Sequence, residues 1–147
     1  MPTFEYGNME GYDQERLLPE GLYKVRLMKP VTRAENKKKT GFNVVIELET
    51  FGAVDPELNG FPFTLWLPEP VAGDEHRKTR RGITLAKAKW GRIARFIAAL
   101  GGEVDPTTGR VDLPTEGLAQ AYIIQALDRD NQPICDIQGD LMPITED

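Results

Sequence analysis

Period-two alternation of apolar and polar side chains is the feature that most limits how this chain can fold. Tyr23, Val25 and Leu27 alternate with Lys24 and Arg26 before Pro30 ends the run. This is the pattern of a strand with one buried face. Further strands are predicted over residues 42–50, 61–67, 118–127 and 133–138. Turn residues such as Asn59-Gly60 and Asp128 to Asn131 separate them.

Residues 83–100 depart from this pattern, because their apolar residues recur at the helical period. The predicted apolar stripe contains Ile83, Ala86, Trp90, Ile93, Ala94 and Ile97. Arg92 and Arg95 fall on the far side, and Gly101-Gly102 supplies a helix stop. We therefore expect Trp90 in the core.

The element order is three strands, one helix and two strands. It predicts a mainly β protein, a β-barrel with one helix, resembling the five-stranded Greek-key barrel of the OB-fold with the helix between strands three and four. Other barrels and α+β folds share this order and stay open at this point.

Size and composition exclude several classes of protein. The chain has 147 residues, 40% of them hydrophobic, which suits one domain with a core. No apolar run approaches the roughly 20 residues of a membrane span, and the N-terminus lacks signal-peptide features. Cys135 is the single cysteine, so an internal disulfide is excluded and the residue is interpreted as part of the core. These features predict a cytoplasmic protein that does not contact membranes.

The charge distribution is more informative than the net charge of −5. Residues 24–39 carry seven basic residues and one acid, and residues 76–95 carry eight basic residues and no acid. Together they hold 15 of the 18 basic residues, while the rest of the chain holds 22 of the 23 acids. A solvated surface explains one such cluster, but two in one small domain favour a polyanion partner.

Several segments together resemble a known family. They are the run Leu18 to Arg26, a basic loop ending in Thr40-Gly41, the Asn59-Gly60-Phe61 strand start, and a helix ending in Ala98 to Gly102. Over roughly residues 18–138 they are similar to the OB-fold single-stranded-DNA-binding proteins of tailed bacteriophages. The resemblance implies a non-enzymatic protein, without a cofactor, that coats single strands in replication or recombination in the host cytoplasm.

Sequence-independent binding of a single strand needs cations for the phosphates and aromatic faces for the bases. The predicted nucleic-acid-binding residues are Lys24, Arg26, Lys37, Lys38, Lys39, Trp66, Arg77, Lys78, Arg80 and Arg81. Trp66 is chosen for stacking because it lies on the non-core face of its strand. Tyr122 and Phe42 have apolar neighbours and are assigned to the core.

The two ends of the chain are predicted to lie outside the domain. Residues 1–17 form an N-terminal arm whose Tyr6 and Tyr12 have two interpretations, contact with DNA or with a second subunit, so a homodimer stays open. Residues 139–147 form a mobile acidic tail with Asp140, Glu146 and Asp147. Such tails recruit replication or recombination proteins in similar proteins, although this one lacks their run of aspartates with a final aromatic residue.

Two other functional classes fit the sequence less well. A small β-barrel with a structural or assembly role in a phage virion would explain the barrel pattern but not the segregated basic residues. A metal-dependent nucleic-acid enzyme would need more ligands than Asp74-Glu75-His76, with no further histidine in the chain. The paired glycines Gly101-Gly102 follow the predicted helix instead of opening it, and the chain has no Walker-type or dinucleotide-binding glycine motif.

Overall fold

The computed structural model describes residues 2–5, 7 and 17–144, which form one large antiparallel sheet, a two-stranded hairpin and one α-helix. The elements are β1 (Gly21–Leu27), β2 (Thr32–Glu35), β3 (Phe42–Phe51), β4 (Pro62–Pro68), α1 (Leu85–Ala99), β5 (Glu103–Asp105), β6 (Arg110–Asp112), β7 (Leu118–Leu127) and β8 (Pro133–Met142). Short 3-10 turns lie at Pro56–Leu58 and Asp74–His76. The prediction of a mainly β fold, with its helix between the third and fourth predicted strands, is confirmed. Strands β2, β5 and β6 were not predicted.

Strand β3 is the centre of the sheet. One edge pairs with β4, and the other edge pairs with β2 near Phe42 and with β1 near Phe51. Strand β1 then pairs with β7, and β7 with β8. The path is therefore β4–β3–β1–β7–β8, with β2 prolonging the β1 position along β3.

One face of this sheet forms the core together with α1. The inward residues of β3 are Val44, Ile46, Leu48 and Thr50, and all four are buried. Thr50 is polar, but its Oγ1 donates to the Leu58 carbonyl at 2.6 Å and accepts from the Phe61 N–H at 3.0 Å. Satisfying both functions removes the cost of burying the hydroxyl.

Helix α1 ends at the predicted Gly101-Gly102 stop but begins at Leu85, two residues later than predicted. The Thr84 Oγ1 accepts from the Lys87 N–H at 3.2 Å at the N-terminus. At the C-terminus Gly101 has a φ of 88°, and the Gly102 N–H bonds to the Ile97 carbonyl at 2.9 Å. This is a Schellman ending, which favours glycine at the left-handed position.

Among the described residues, no helix has the length and apolar character that crossing a membrane requires.

The buried face of α1 differs from the predicted stripe. Phe96 is fully buried beside Ile93 and Ile97, whereas Trp90 is 48% exposed and Ile83 is also exposed. The assignment of Trp90 to the core is therefore wrong. Contacts of α1 with β4 and β8, and the inward position of Lys89, rotate the buried stripe toward residues 89, 93, 96 and 97.

Trp90 instead lines an apolar cleft of about 370 Å³ between α1 and the β5–β6 hairpin. Val104, Pro106 and Val111 contribute its other wall. The hairpin is too short to cover the indole, because each of its strands has only three residues.

Strand β8 continues beyond the predicted end at residue 138. It runs to Met142, which pairs with Gln120, and Leu141 is buried. Residues 139–142 are thus part of the sheet, and their assignment to a mobile tail is wrong. Gly139, with a φ of 72°, lies where the register with β7 shifts, so the strand passes through a bulge instead of ending. Glu146 and Asp147 lie outside the described residues.

The start of the folded region is held to the last two strands. Leu18 is fully buried, its N–H donates to Cys135 Sγ at 3.0 Å, and its carbonyl accepts from Gln125 Nε2 at 2.9 Å. Residues 2–5 and 7 are exposed and have no helix or strand, while Tyr6 and Tyr12 lie outside the described residues.

The corrected helix face predicts unequal effects of two aromatic truncations. We expect Phe96→Ala to lower the free energy of unfolding by about 3–5 kcal/mol, because the ring fills the core. Trp90→Ala should cost less, since about half of its side chain already contacts water. Urea unfolding followed by circular dichroism measures both. A larger loss of unfolding free energy for Trp90→Ala than for Phe96→Ala would support the helix face predicted from the sequence, with Trp90 in the core.

Candidate nucleic-acid interface

The first basic surface is the loop between β2 and β3, residues 36–41, called here the lysine loop. The Asn36 N–H bonds to the Gly41 carbonyl at 2.9 Å, and Asn36 Oδ1 accepts from the Thr40 N–H at 3.0 Å. The loop is therefore a closed turn. Lys37, Lys38 and Lys39 at its tip are exposed, and none forms an ion pair with any described residue.

The second basic surface is residues 77–84, between β4 and α1, called here the arginine hairpin. A bridge joins Lys78 to Thr84, and the Thr79 N–H bonds to the Ile83 carbonyl at 2.8 Å. The Leu85 N–H bonds to the Arg77 carbonyl at 2.7 Å, so the hairpin leads directly into α1. The four predicted phosphate-contact residues here are all exposed: Arg77, Lys78, Arg80 and Arg81.

A buried ion pair anchors the arginine hairpin. Asp74 is 2% exposed, and its Oδ2 accepts from Lys89 Nζ at 2.7 Å and from the Val71 N–H at 2.9 Å. The Lys89 hydrogen bond, followed by that from Val71, lowers the pKa of the Asp74 carboxyl against the opposing effect of burial. The Asp74 carbonyl also accepts from the Arg77 N–H at 3.3 Å. The first residue of the hairpin is thus tied to the carboxylate that Lys89 holds.

The two basic surfaces originate at the same end of the sheet. Arg33 of β2 donates to both oxygens of Glu69, which directly follows β4, at 2.6 and 2.9 Å. The Glu69 N–H bonds to the Phe42 carbonyl at 2.9 Å. A Cβ at Gly41 would lie 2.7 Å from Val71 Cγ1, so the Gly41 backbone packs directly against the Val71 side chain. The base of the lysine loop thus packs against the connection that leads from β4 to the arginine hairpin.

The outer face of the sheet, opposite the core, carries the remaining predicted residues. Trp66 is 62% exposed and pairs across the strands with Val45, which confirms its expected position on the non-core face. Lys24 is exposed on β1. Arg26 donates to Glu49 at 2.7 Å, so its guanidinium is already engaged within the sheet.

Two aromatic residues assigned to the core are exposed instead. Tyr122 is 44% exposed because it alternates with the inward-facing Ala121 and Ile123 on β7. Phe42 is 39% exposed because β3 begins there, beyond the packed region. The Arg33 guanidinium lies 3.9 Å from the Phe42 ring centroid and shields it.

Sequence reasoning missed the two ion pairs that organise this end of the molecule. Arg33 and Glu69 are 36 residues apart, and Asp74 and Lys89 are 15 apart. Neither spacing is a local helix or strand spacing, so only the tertiary fold brings these side chains together. The residues next to each of these four side chains carry no signal that predicts either pair.

No group of three or more histidine, cysteine, aspartate or glutamate residues is arranged to hold a metal ion in the part of the chain that the structure describes. Asp74 is held by Lys89, and His76 lies 3.5 Å from Glu75 with both side chains exposed. Comparison with protein-family models, curated proteins and solved structures gives no match for this chain.

The anchor leads to a prediction about pH and hairpin order. The folded-state pKa of Asp74 is below its unfolded value, so the carboxylate stabilises the fold above about pH 4 and this contribution is lost as the pH falls through the folded pKa. We expect Asp74→Asn to lower the free energy of unfolding at neutral pH and to flatten its decline in acid. Trypsin should also cleave faster at Arg80 and Arg81.

The matched control is Asp112→Asn, which removes a carboxylate paired with Arg110 on the exposed β5–β6 hairpin. It should change neither the acid unfolding profile nor the cleavage rate in the arginine hairpin. Equal behaviour of the two variants would show that Asp74 has no anchoring role.

Proposed function

We propose that this chain is a non-enzymatic, sequence-independent single-stranded-DNA-binding protein of OB type that acts in phage DNA replication or recombination. The observation that carries the proposal is the position of Trp66. This exposed indole lies near the end of β4, opposite Val45, at the end of the sheet from which the lysine loop and the arginine hairpin project. Aromatic stacking next to a cationic path is the combination that binding of single strands requires.

The sheet path supports the OB assignment. With β1 and β2 counted as one bent first strand, the path β4–β3–β1–β7–β8 contains five antiparallel strands. Helix α1 contacts both end strands, β4 and β8. Closing those two strands against each other gives the partly open five-stranded Greek-key barrel of an OB-fold, which binds oligonucleotides on its second and third strands and at the neighbouring loops. In this chain those strands are β3 and β4.

The two kinds of contact would be divided between loops and sheet. Seven exposed side chains in the lysine loop and arginine hairpin are the phosphate ligands: Lys37, Lys38, Lys39, Arg77, Lys78, Arg80 and Arg81. Trp66 is the stacking residue. Arg26 is a weaker candidate than the sequence suggested, because a phosphate must displace Glu49 to reach it.

Salt dependence tests the phosphate ligands. Each cation that neutralises a phosphate of a single strand adds about 0.7 to the slope of log affinity against log salt. We expect the triple change of Lys37, Lys38 and Lys39 to Ala to weaken binding and to lower the slope by about 2. Arg80→Ala with Arg81→Ala should lower it by about 1.4. Fluorescence anisotropy of a labelled oligonucleotide measures both.

The charge control is Arg110→Ala with Arg129→Ala, two exposed residues outside both basic segments. It should leave the slope unchanged. Failure of the unmodified chain to bind any single strand at low salt would refute the proposal and favour the structural or assembly role in a virion.

Stacking is tested separately. Trp66→Ala should weaken single-strand binding by about 1–3 kcal/mol without changing stability, because the indole packs little against the core. Oligonucleotide should quench tryptophan fluorescence in the parent and much less in this variant. Trp90→Ala, which alters a half-exposed tryptophan on α1, is the control and should retain both binding and quenching. If Trp90→Ala loses binding and quenching while Trp66→Ala retains both, Trp90 is the stacking residue.

A further inference from the structure

Two carboxylates lie on the outer face beside the candidate stacking residue. Glu47 and Glu49 follow Val45 at alternate positions of β3, so all three side chains share this face. Trp66 is opposite Val45 and Thr64 is opposite Glu47. Glu47 is therefore a diagonal cross-strand neighbour of Trp66, at a typical Cα separation of about 7–8 Å.

Both carboxylates neutralise cations of the first basic segment. Glu49 Oε1 lies 2.7 Å from Arg26 Nε, and Glu47 Oε2 lies 3.4 Å from Lys29 Nζ. The glutamate side chains are 23% and 34% exposed, so they remain accessible from the outer face. The sheet beside Trp66 thus has charges that cancel in pairs, whereas the cations of the lysine loop and arginine hairpin form no ion pair with another described residue.

We infer that Glu47 and Glu49 make this surface select single-stranded over double-stranded nucleic acid; the inference rests on the proposed function. A duplex keeps its bases stacked inside and presents phosphates at high charge density. A sheet whose cations are already paired gives those phosphates no ligand, and its carboxylates repel them within the screening length of about 8 Å. A single strand places a base on Trp66 and its phosphates on the loops, so the same carboxylates oppose it less.

The arrangement also accounts for the mixture of charges in the sequence. Like-charge contacts against an unwanted partner raise specificity even when they lower total affinity. A fully basic sheet face would bind any polyanion. Lys24, on the same face and two positions from Arg26, lies opposite Phe51 and stays exposed and unpaired among the described residues. The paired cations are therefore those on the side of Lys24 nearer to Trp66.

The test compares duplex and single-strand affinities of the full chain and of the variant Glu47→Gln with Glu49→Gln. Glutamine keeps the side-chain size, removes both charges and releases Arg26 and Lys29 for phosphates. We expect roughly a tenfold rise in affinity for a labelled duplex and a smaller rise for the matching single strand, so their ratio falls. The duplex salt slope should steepen by about 1.8.

The matched control is Glu103→Gln with Asp112→Asn on the β5–β6 hairpin. It changes the net charge by the same amount and also breaks an ion pair, that of Arg110 with Asp112 at 3.2 Å. It should leave the affinity ratio unchanged. Adding Arg26→Gln and Lys29→Gln to the glutamate variant removes the freed cations, so the duplex affinity should fall back toward the parental value. It should stay above that value by the contribution of the lost carboxylate repulsion.

The outcomes separate the two proposals. A parent chain that binds no single strand refutes the proposed function. A parent that binds, with an affinity ratio that the glutamate variant does not lower, or lowers no more than the control does, refutes the selection by Glu47 and Glu49. Circular dichroism of each variant verifies the fold, and the single changes Glu47→Gln and Glu49→Gln provide the same comparison if the double variant is unstable.

Discussion

The pairing of β3 with three other strands is the constraint on which the rest of the molecule depends. Its ten residues pair with β4 along one edge and with both β2 and β1 along the other. Because side chains alternate strictly, the register that buries Val44, Ile46 and Leu48 also fixes Val45, Glu47 and Glu49 on the outer face. A shift of one residue would exchange the core for the candidate binding surface. Core packing and surface chemistry are therefore specified by one register.

Paired and unpaired cations divide the surface into regions with different chemistry. Arg26, Lys29 and Arg33 are held by carboxylates of β3 or of the residue after β4. The cations of the lysine loop and of the arginine hairpin have no such partners among the described residues. Exposed pairs add little to stability, but each one removes a cation from the set that a polyanion can reach. The charge that a polyanion meets at each part of this surface therefore depends on which cations the strand register pairs with carboxylates. The net charge of the chain does not predict it.

The sequence predicted the parts of the fold that depend on local pattern. All five predicted strands are present, and so are the helix stop at Gly101 and the exposed position of Trp66. The sequence-based predictions are wrong where tertiary contacts decide which residues are buried and where a strand ends. The buried face of α1 depends on Lys89 reaching Asp74, and the continuation of β8 depends on a bulge at Gly139, a residue that also suits a turn. The core assignment of Tyr122 is wrong because its position in the strand alternation, and not its apolar neighbours, decides its exposure.

The same limit applies to the candidate site. A sequence shows which residues are basic, but it does not show which carboxylates lie close enough to neutralise them. Arg26 and Glu49 are 23 residues apart and meet only through the β1–β3 register. The exposed loop cations could be predicted because turn residues keep them away from the sheet.

The link between Leu18 and the last strands has a consequence for how the chain reaches its structure. Leu18 is bound to Cys135, 117 residues later in the chain. Contacts of such separation close a very large loop, and folds rich in them form in milliseconds to seconds instead of microseconds. During synthesis, β1 and β3 can pair early, but β1 gains its second neighbour only when β7 has been made, and Leu18 is covered only after β8 emerges. Until then, an apolar sheet edge and an uncovered leucine remain exposed on the nascent chain, so the synthesis of β8 determines when the protein becomes resistant to aggregation and proteolysis.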